Sequence, residues 1–372
     1  MEHMVFKGAG QRSAKDIVEV IEAEGGNINA ATGYERTSFQ VRALAGGLDL
    51  GSSVLSDLVL RPRLNADDLA REKQVIAQEI AEALDSPDDL VFEMAQDAAF
   101  EGQSLGRSIL GTEDSLAPAT PEALSEWRGY LYAPETLVIA ASGAVDEDDL
   151  LRFVERDFAG AESRPSEQHV IADFTGGVRT QAKNLEQANL VFMLPTVGFG
   201  HEDYFALRLF AEILGGGMAS RLFQEAREKR GLAYAVDAYS ESYLDQGVLG
   251  IFAGCAAKDA AELARVAAGE IGGLAQRVEP SELARAKAQL KSGLFMARES
   301  PLARAEQAAG QVLSFGRQLT TAEIARDIEA VSAEDLMRVG ANLTRPGRAA
   351  VSVLGPRSAH KASQAFLQTL FG

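Results

Sequence analysis

Two glutamates seven residues apart, Glu72 and Glu79 in the run AREKQVIAQEI, fall on one stripe of a helix together with Leu69, Ile76 and Ala83. The rest of that stripe is apolar. A carboxylate turned toward a packed face is costly unless a cation or hydrogen-bond donors compensate it. Two on one stripe ask for a compensating charge, and a divalent metal would supply it. Glu2-His3, beside Met1, adds an imidazole and another acid. Most helical glutamates are solvated, so a plain wet helix face stands beside the metal reading.

The elements that must position these groups follow from caps and periodicity. Ser13 with Asp16 forms a capping-box pattern, and Ile17, Val18, Val20 and Ile21 give the helix an apolar side that Gly25-Gly26 stop. Alternation predicts strands over 27–32 and 37–44, joined by Gly33-Tyr34-Glu35. A helix over 48–60 ends at Arg61-Pro62, and Asn65 caps the helix of Glu72 and Glu79, with Asp68 at its third position. Ser86-Pro87-Asp88-Asp89 starts another helix. Thr120-Pro121 opens one through Trp127, followed by a strand over 136–142 and a helix over 150–158.

The 372 residues exceed one usual core and predict two domains. The Pro/Ser-containing stretch 161–168 is the best linker, between a first domain 1–160 and a second 169–372. A formal charge of −18 argues against nucleic acid, whose phosphates reward basic faces. One cysteine, Cys255, excludes an internal disulfide framework and reads as a buried strand residue. No apolar run is long enough for a membrane span. The acidic, alanine-rich composition fits a bacterial protein with nothing forcing export, so the cytoplasm is expected, with the periplasm as the alternative.

The second half repeats the first. A shift of 212 aligns Leu124 with Leu336, Pro134 with Pro346 and Gly143 with Gly355; a shift of 214 aligns Leu69, Arg71 and Lys73 with Leu283, Arg285 and Lys287. At that register Glu72 meets Ala286 and Glu79 meets Gly293, so the second copy lacks both acids. Gly215–Gly217 follow a helical pattern without a Lys-Ser/Thr ending, which argues against a phosphate loop.

MEHMVFKGAG, then GGNINAATGYERTSF, AREKQVIAQEI and RLFQEAREKRGLAYAV, in that order, resemble the pitrilysin, insulinase and mitochondrial-processing-peptidase family of zinc proteases. The resemblance covers nearly the whole chain. It implies an α+β fold of two homologous domains, each a mostly antiparallel sheet covered by helices, facing across a cleft. In that family's inverted motif H-x-x-E-H, Glu2 and His3 match the last two letters, and the motif's first His has no counterpart in this sequence.

By resemblance His3 and Glu79 are ligands of Zn²⁺, Glu2 is the general base and Glu72 supports the site from behind. The strand over 27–32 would take substrate backbone by strand addition, with Asn29 and Ala30 touching it; the alternative is a plain hairpin whose Asn residues serve turns. Arg227 would orient substrate and Tyr234 donate to the developing oxyanion, against a bland reading as helix surface and strand. Met1 stands where the family commonly has Leu, so a domain of ordinary size implies that roughly fifty residues, including a first strand, precede this sequence. The expected activity is that of a zinc endopeptidase on peptides or unfolded segments, weak without the first His. The competing expectation is a non-catalytic partner in a homodimer or a heterodimer with a related subunit.

Overall fold

The computed structural model describes residues 1–163, 170–345 and 347–372; most of the expected linker, His169 and Pro346 lie outside the described residues. The chain packs as two compact units, each drawn from three stretches. Met1–Ala81, Ile109–Val170 and Arg298–Gln318 form the first; Glu82–Ser108, Ile171–Ala297 and Leu319–Gly372 form the second.

In the first unit, Ser13 and Asp16 make the full capping box at the start of helix Ala14–Glu22, which buries Ile17 and Ile21. These pack with Val5, Ala9, Val54 and Leu58. Strands Asn27–Thr32 and Thr37–Arg42 form an antiparallel hairpin in which Asn29 faces Gln40 and Ala30 faces Phe39. Helix Leu48–Leu60 follows, and then the long helix Ala66–Asp85, where Asn65 Oδ1 accepts from the Asp67 amide at 2.8 Å. Of residues 136–142, expected as a strand, Thr136 ends a short 3₁₀ turn begun at Pro134, and 137–142 pair with no strand among the described residues. The run has a strand's composition, but a ladder needs a neighbour, and the first unit's described strands form two short hairpins and one isolated bridge, Ala9 to Pro62.

The second unit is built on a five-stranded sheet in the order Gly177–Ala182, Ala350–Gly355, Ala188–Val197, Gln246–Cys255, Ala233–Ser242. Only the first pair is parallel. Alternation sends Phe192, Ile251 and Val351 to one face, where Phe192 stacks on Phe366 of helix Lys361–Phe371 at 4.2 Å between centroids. Val191, Phe252 and Ser352 point to the other face. There Phe252 stacks on Phe92, and Ser352 donates to the Val91 carbonyl at 2.7 Å, so helix Pro87–Ala99 closes that side. Cys255 is buried at the end of its strand, and burial pushes its thiol up to about 12. Of the three glycines, Gly215 reflects packing: a Cβ there would lie 2.3 Å from the Ala238 amide nitrogen.

The repeat is visible residue by residue. Ser86-Pro87 and Ser300-Pro301, 214 apart, cap helices Pro87–Ala99 and Pro301–Phe315 in the same way. Lys73 Nζ donates to the Ala117 and Ala119 carbonyls, and Lys287 Nζ to that of Glu329. Thr120 and Ser332, 212 apart, cap the next helices. The two halves nevertheless exchange one element. Pro87–Ala99 packs in the second unit, whereas its counterpart Pro301–Phe315 packs in the first, where Gln40 bonds Glu306 and Pro301 lies 3.7 Å from where a Gly143 Cβ would stand.

Candidate active site

The site begins with one helical turn. Glu2–Val5 is held down by buried Met4 and Val5, which leaves Glu2 and His3 half-buried on its other side. The seven-residue spacing on Ala66–Asp85 brings both glutamates to this turn. His3 Nδ1 lies 3.1 Å from Glu72 Oε2, and His3 Nε2 lies 3.5 Å from Glu79 Oε2. Glu72 is buried; Glu79, two turns further along, keeps a side chain 39% exposed.

The charge that compensates Glu72 is a lysine. Lys7 Nζ stands 2.6 Å from Glu72 Oε1, so both carboxylate oxygens are engaged, one by Lys7 and one by His3. Glu2 turns the other way, and its carboxylate accepts the Thr32 hydroxyl, which ties it to the end of strand Asn27–Thr32. Asn29 is exposed on that strand and Ala30 half-buried; beyond its pairing with Thr37–Arg42, the strand has no ladder partner among the described residues.

Arg227 and Tyr234 belong to the second unit, where they meet each other. The Arg227 guanidinium lies 4.7 Å from the Phe223 ring centroid and 5.5 Å from that of Tyr234. Residues Phe223–Lys229 form a π-helical turn, and Tyr234 stands 75% exposed on the edge strand Ala233–Ser242. Arginine over two rings is a preorganised, solvent-facing cation.

Sequence reasoning missed Lys7, Thr32 and Tyr132. Lys7 carried one signal, its i+4 spacing from His3. Tyr132 carried none: its ring meets Phe39 edge-on, burial pushes its phenol above the usual tyrosine range, its bond to Thr37 opposes this and nearby Glu2 adds to it.

Tetrahedral zinc with bonds of about 2.1 Å sets neighbouring donor atoms about 3.4 Å apart, and His3 Nε2 and Glu79 Oε2 are 3.5 Å apart. The pair is spaced as two zinc ligands would be. A third is lacking, because Glu72 is engaged by Lys7 and His3 and Glu2 by Thr32. Among the described residues no group of three His, Cys, Asp or Glu side chains is arranged to hold a metal ion. The described donors therefore stop one short of the three protein ligands a catalytic zinc takes.

The α+β fold, and a first half in which two helical acids face an imidazole, agree with what the family models find. Residues 1–113 match the family model described as insulinase (peptidase family M16), and residues 118–290 match the one described as peptidase M16 inactive domain. An uncharacterized zinc protease of Rickettsia bellii is 34% identical over 96% of this chain and 87% of its own length. One of Mycobacterium tuberculosis is 32% identical over 100% and 86%. The chain belongs to peptidase family M16. Solved folds similar to it include a protease from Helicobacter pylori, at TM-score 0.85 and 20% identity over 95% of this chain and 88% of that one. Another is a Pseudomonas fluorescens chain described as a peptidase M16 inactive domain, at 0.86 and 19% over 95% and 86%.

Proposed function

We propose that the protein is a zinc-dependent endopeptidase acting on peptides or unfolded segments that add as a strand to the free edge of Asn27–Thr32. The observation that carries this reading is the approach of His3 Nε2 to Glu79 Oε2 at 3.5 Å, from elements seventy-six residues apart. Asn29 and Ala30 contact the substrate along that strand. Glu2, tethered by Thr32 at the end of the same strand, is the group that accepts and returns a proton. Roles for Arg227 in orienting substrate and for Tyr234 in donating to the reacting carbonyl rest on the family resemblance of their stretch alone, each residue being described within the second unit.

With two metal donors among the described residues, zinc retention and activity are weak in this chain. That shortfall also favours the second reading, a non-catalytic subunit paired with a second copy or a related chain. No helix among the described residues is long and apolar enough to cross a membrane, and a cytoplasmic location is proposed.

Zinc binding at equilibrium, titrated against a chelating dye, with cleavage of a quenched fluorescent peptide, tests the reading on the chain, His3→Ala and Glu2→Gln. The expected result is zinc binding that His3→Ala loses and Glu2→Gln keeps, with slow cleavage abolished by either change. Zinc binding indifferent to His3, or cleavage indifferent to Glu2, would reject it in favour of the partner role.

A further inference from the structure

We infer that Lys7 is a positioning residue that sets the orientation and tautomer of His3 through Glu72. The inference rests on the reading of His3 as a ligand but concerns a residue that the inverted motif leaves without a role. Glu72 has two oxygens and two neighbours: Oε1 at 2.6 Å from Lys7 Nζ and Oε2 at 3.1 Å from His3 Nδ1. An ionised carboxylate only accepts, so Nδ1 must carry a proton to bond it. The lone pair of the ring then sits on Nε2, the nitrogen that faces Glu79.

Lys7 makes this arrangement stiff. Its ammonium fixes Oε1, so the carboxylate cannot rotate without breaking a charge-assisted bond in a buried setting. His3 and Lys7 are four apart and Lys7 donates its amide to the Met4 carbonyl at 3.2 Å, so one turn of backbone clamps both neighbours of Glu72. Lys7 also balances one of the three acids gathered here, Glu2, Glu72 and Glu79, with no metal required. An imidazole held by a carboxylate that is itself held is the general means of fixing a ligand's tautomer.

The test reads the ring directly. Nitrogen-15 NMR of the four histidines at pH 8, with His3→Ala assigning the signal, should show His3 as the Nδ1–H tautomer in the unaltered chain. Lys7→Met should convert a substantial share to the Nε2–H tautomer or to exchange between the two, and Lys7→Arg should restore the first pattern. Lys7→Gln, which donates without charge, provides the measurement should Lys7→Met fail to fold, and should fall between the two. A His3 signal unchanged in Lys7→Met, or in Lys7→Gln where that is the folded variant, overturns the inference, as does a ring protonated on Nε2 in the unaltered chain. Zinc binding by His3→Ala judges the ligand reading separately: loss of metal there with no tautomer change on altering Lys7 sinks the positioning role alone.

Discussion

Replacing Glu72 by leucine measures what holds the site together before any metal is considered. The side chain is 8% exposed and serves both Lys7 and His3. Removing one partner of a fully buried ion pair costs roughly 3–5 kcal/mol, because the other charge stays desolvated. Lys7 is 36% exposed and water can reach it, so the stranded-charge part falls to about 1–2 kcal/mol, and the lost imidazole bond adds about 1 kcal/mol. The expected loss for Glu72→Leu is therefore about 2–3 kcal/mol in the first unit. Trp127, the only tryptophan, lies in that unit and reports its unfolding in urea by fluorescence. Lys7→Met alone should lose less, and Glu72→Leu with Lys7→Met should lose less than the sum of the two by about 1 kcal/mol or more, since each removes the other's partner. Additive losses, or a Glu72→Leu chain as stable as the original, would refute the account of Lys7 as the compensating charge.

Other outcomes follow from the same geometry. Joining His-Leu ahead of Met1 sets an imidazole four residues, about one helical turn, before His3; zinc affinity measured against a chelating dye should tighten by at least about tenfold, and His3→Ala should cancel the gain. Phe192→Ala empties the centre of the second unit's core opposite Phe366 and should cost about 3–5 kcal/mol by chemical denaturation. Burial pushes the Glu212 carboxyl above its ordinary range, with Arg208 opposing it. A raised folded value means that the protonated form's stabilisation is complete below the ordinary glutamate range and lost as pH rises through the raised one. Glu212→Gln should therefore raise the melting temperature at pH 7 and leave it unchanged near pH 3; the reverse order would contradict the assignment.

What was legible in the sequence was local or periodic. Ser13, Ser86 and Thr120 each cap the helix their neighbours announced, because a cap oxygen and the amide that donates to it lie three residues apart. The seven-residue step placed Glu72 and Glu79 toward one neighbour, and the repeat aligned Lys287 with Lys73, each of which donates to a backbone carbonyl. What was not legible depends on pairing across distance. The stripe of two acids called for a cation without saying that Lys7, sixty-five residues earlier, provides it for one of them. Residues 137–142 have the side chains of a strand, but side chains do not disclose whether a neighbour exists. The exchange of Pro87–Ala99 and Pro301–Phe315 escaped notice because each helix has the same cap and pattern wherever it packs.

That exchange has a bearing on how the polypeptide is made. A nascent chain leaving the ribosome releases Met1–Ala81 early, yet the last piece of that unit, Arg298–Gln318, emerges more than two hundred residues later. At about 5–20 residues per second the wait is on the order of ten to fifty seconds, during which the Thr37–Arg42 hairpin strand lacks the helix whose Glu306 its Gln40 meets. Neither unit can therefore close before its own last stretch, Arg298–Gln318 for the first and Leu319–Gly372 for the second, has left the ribosome.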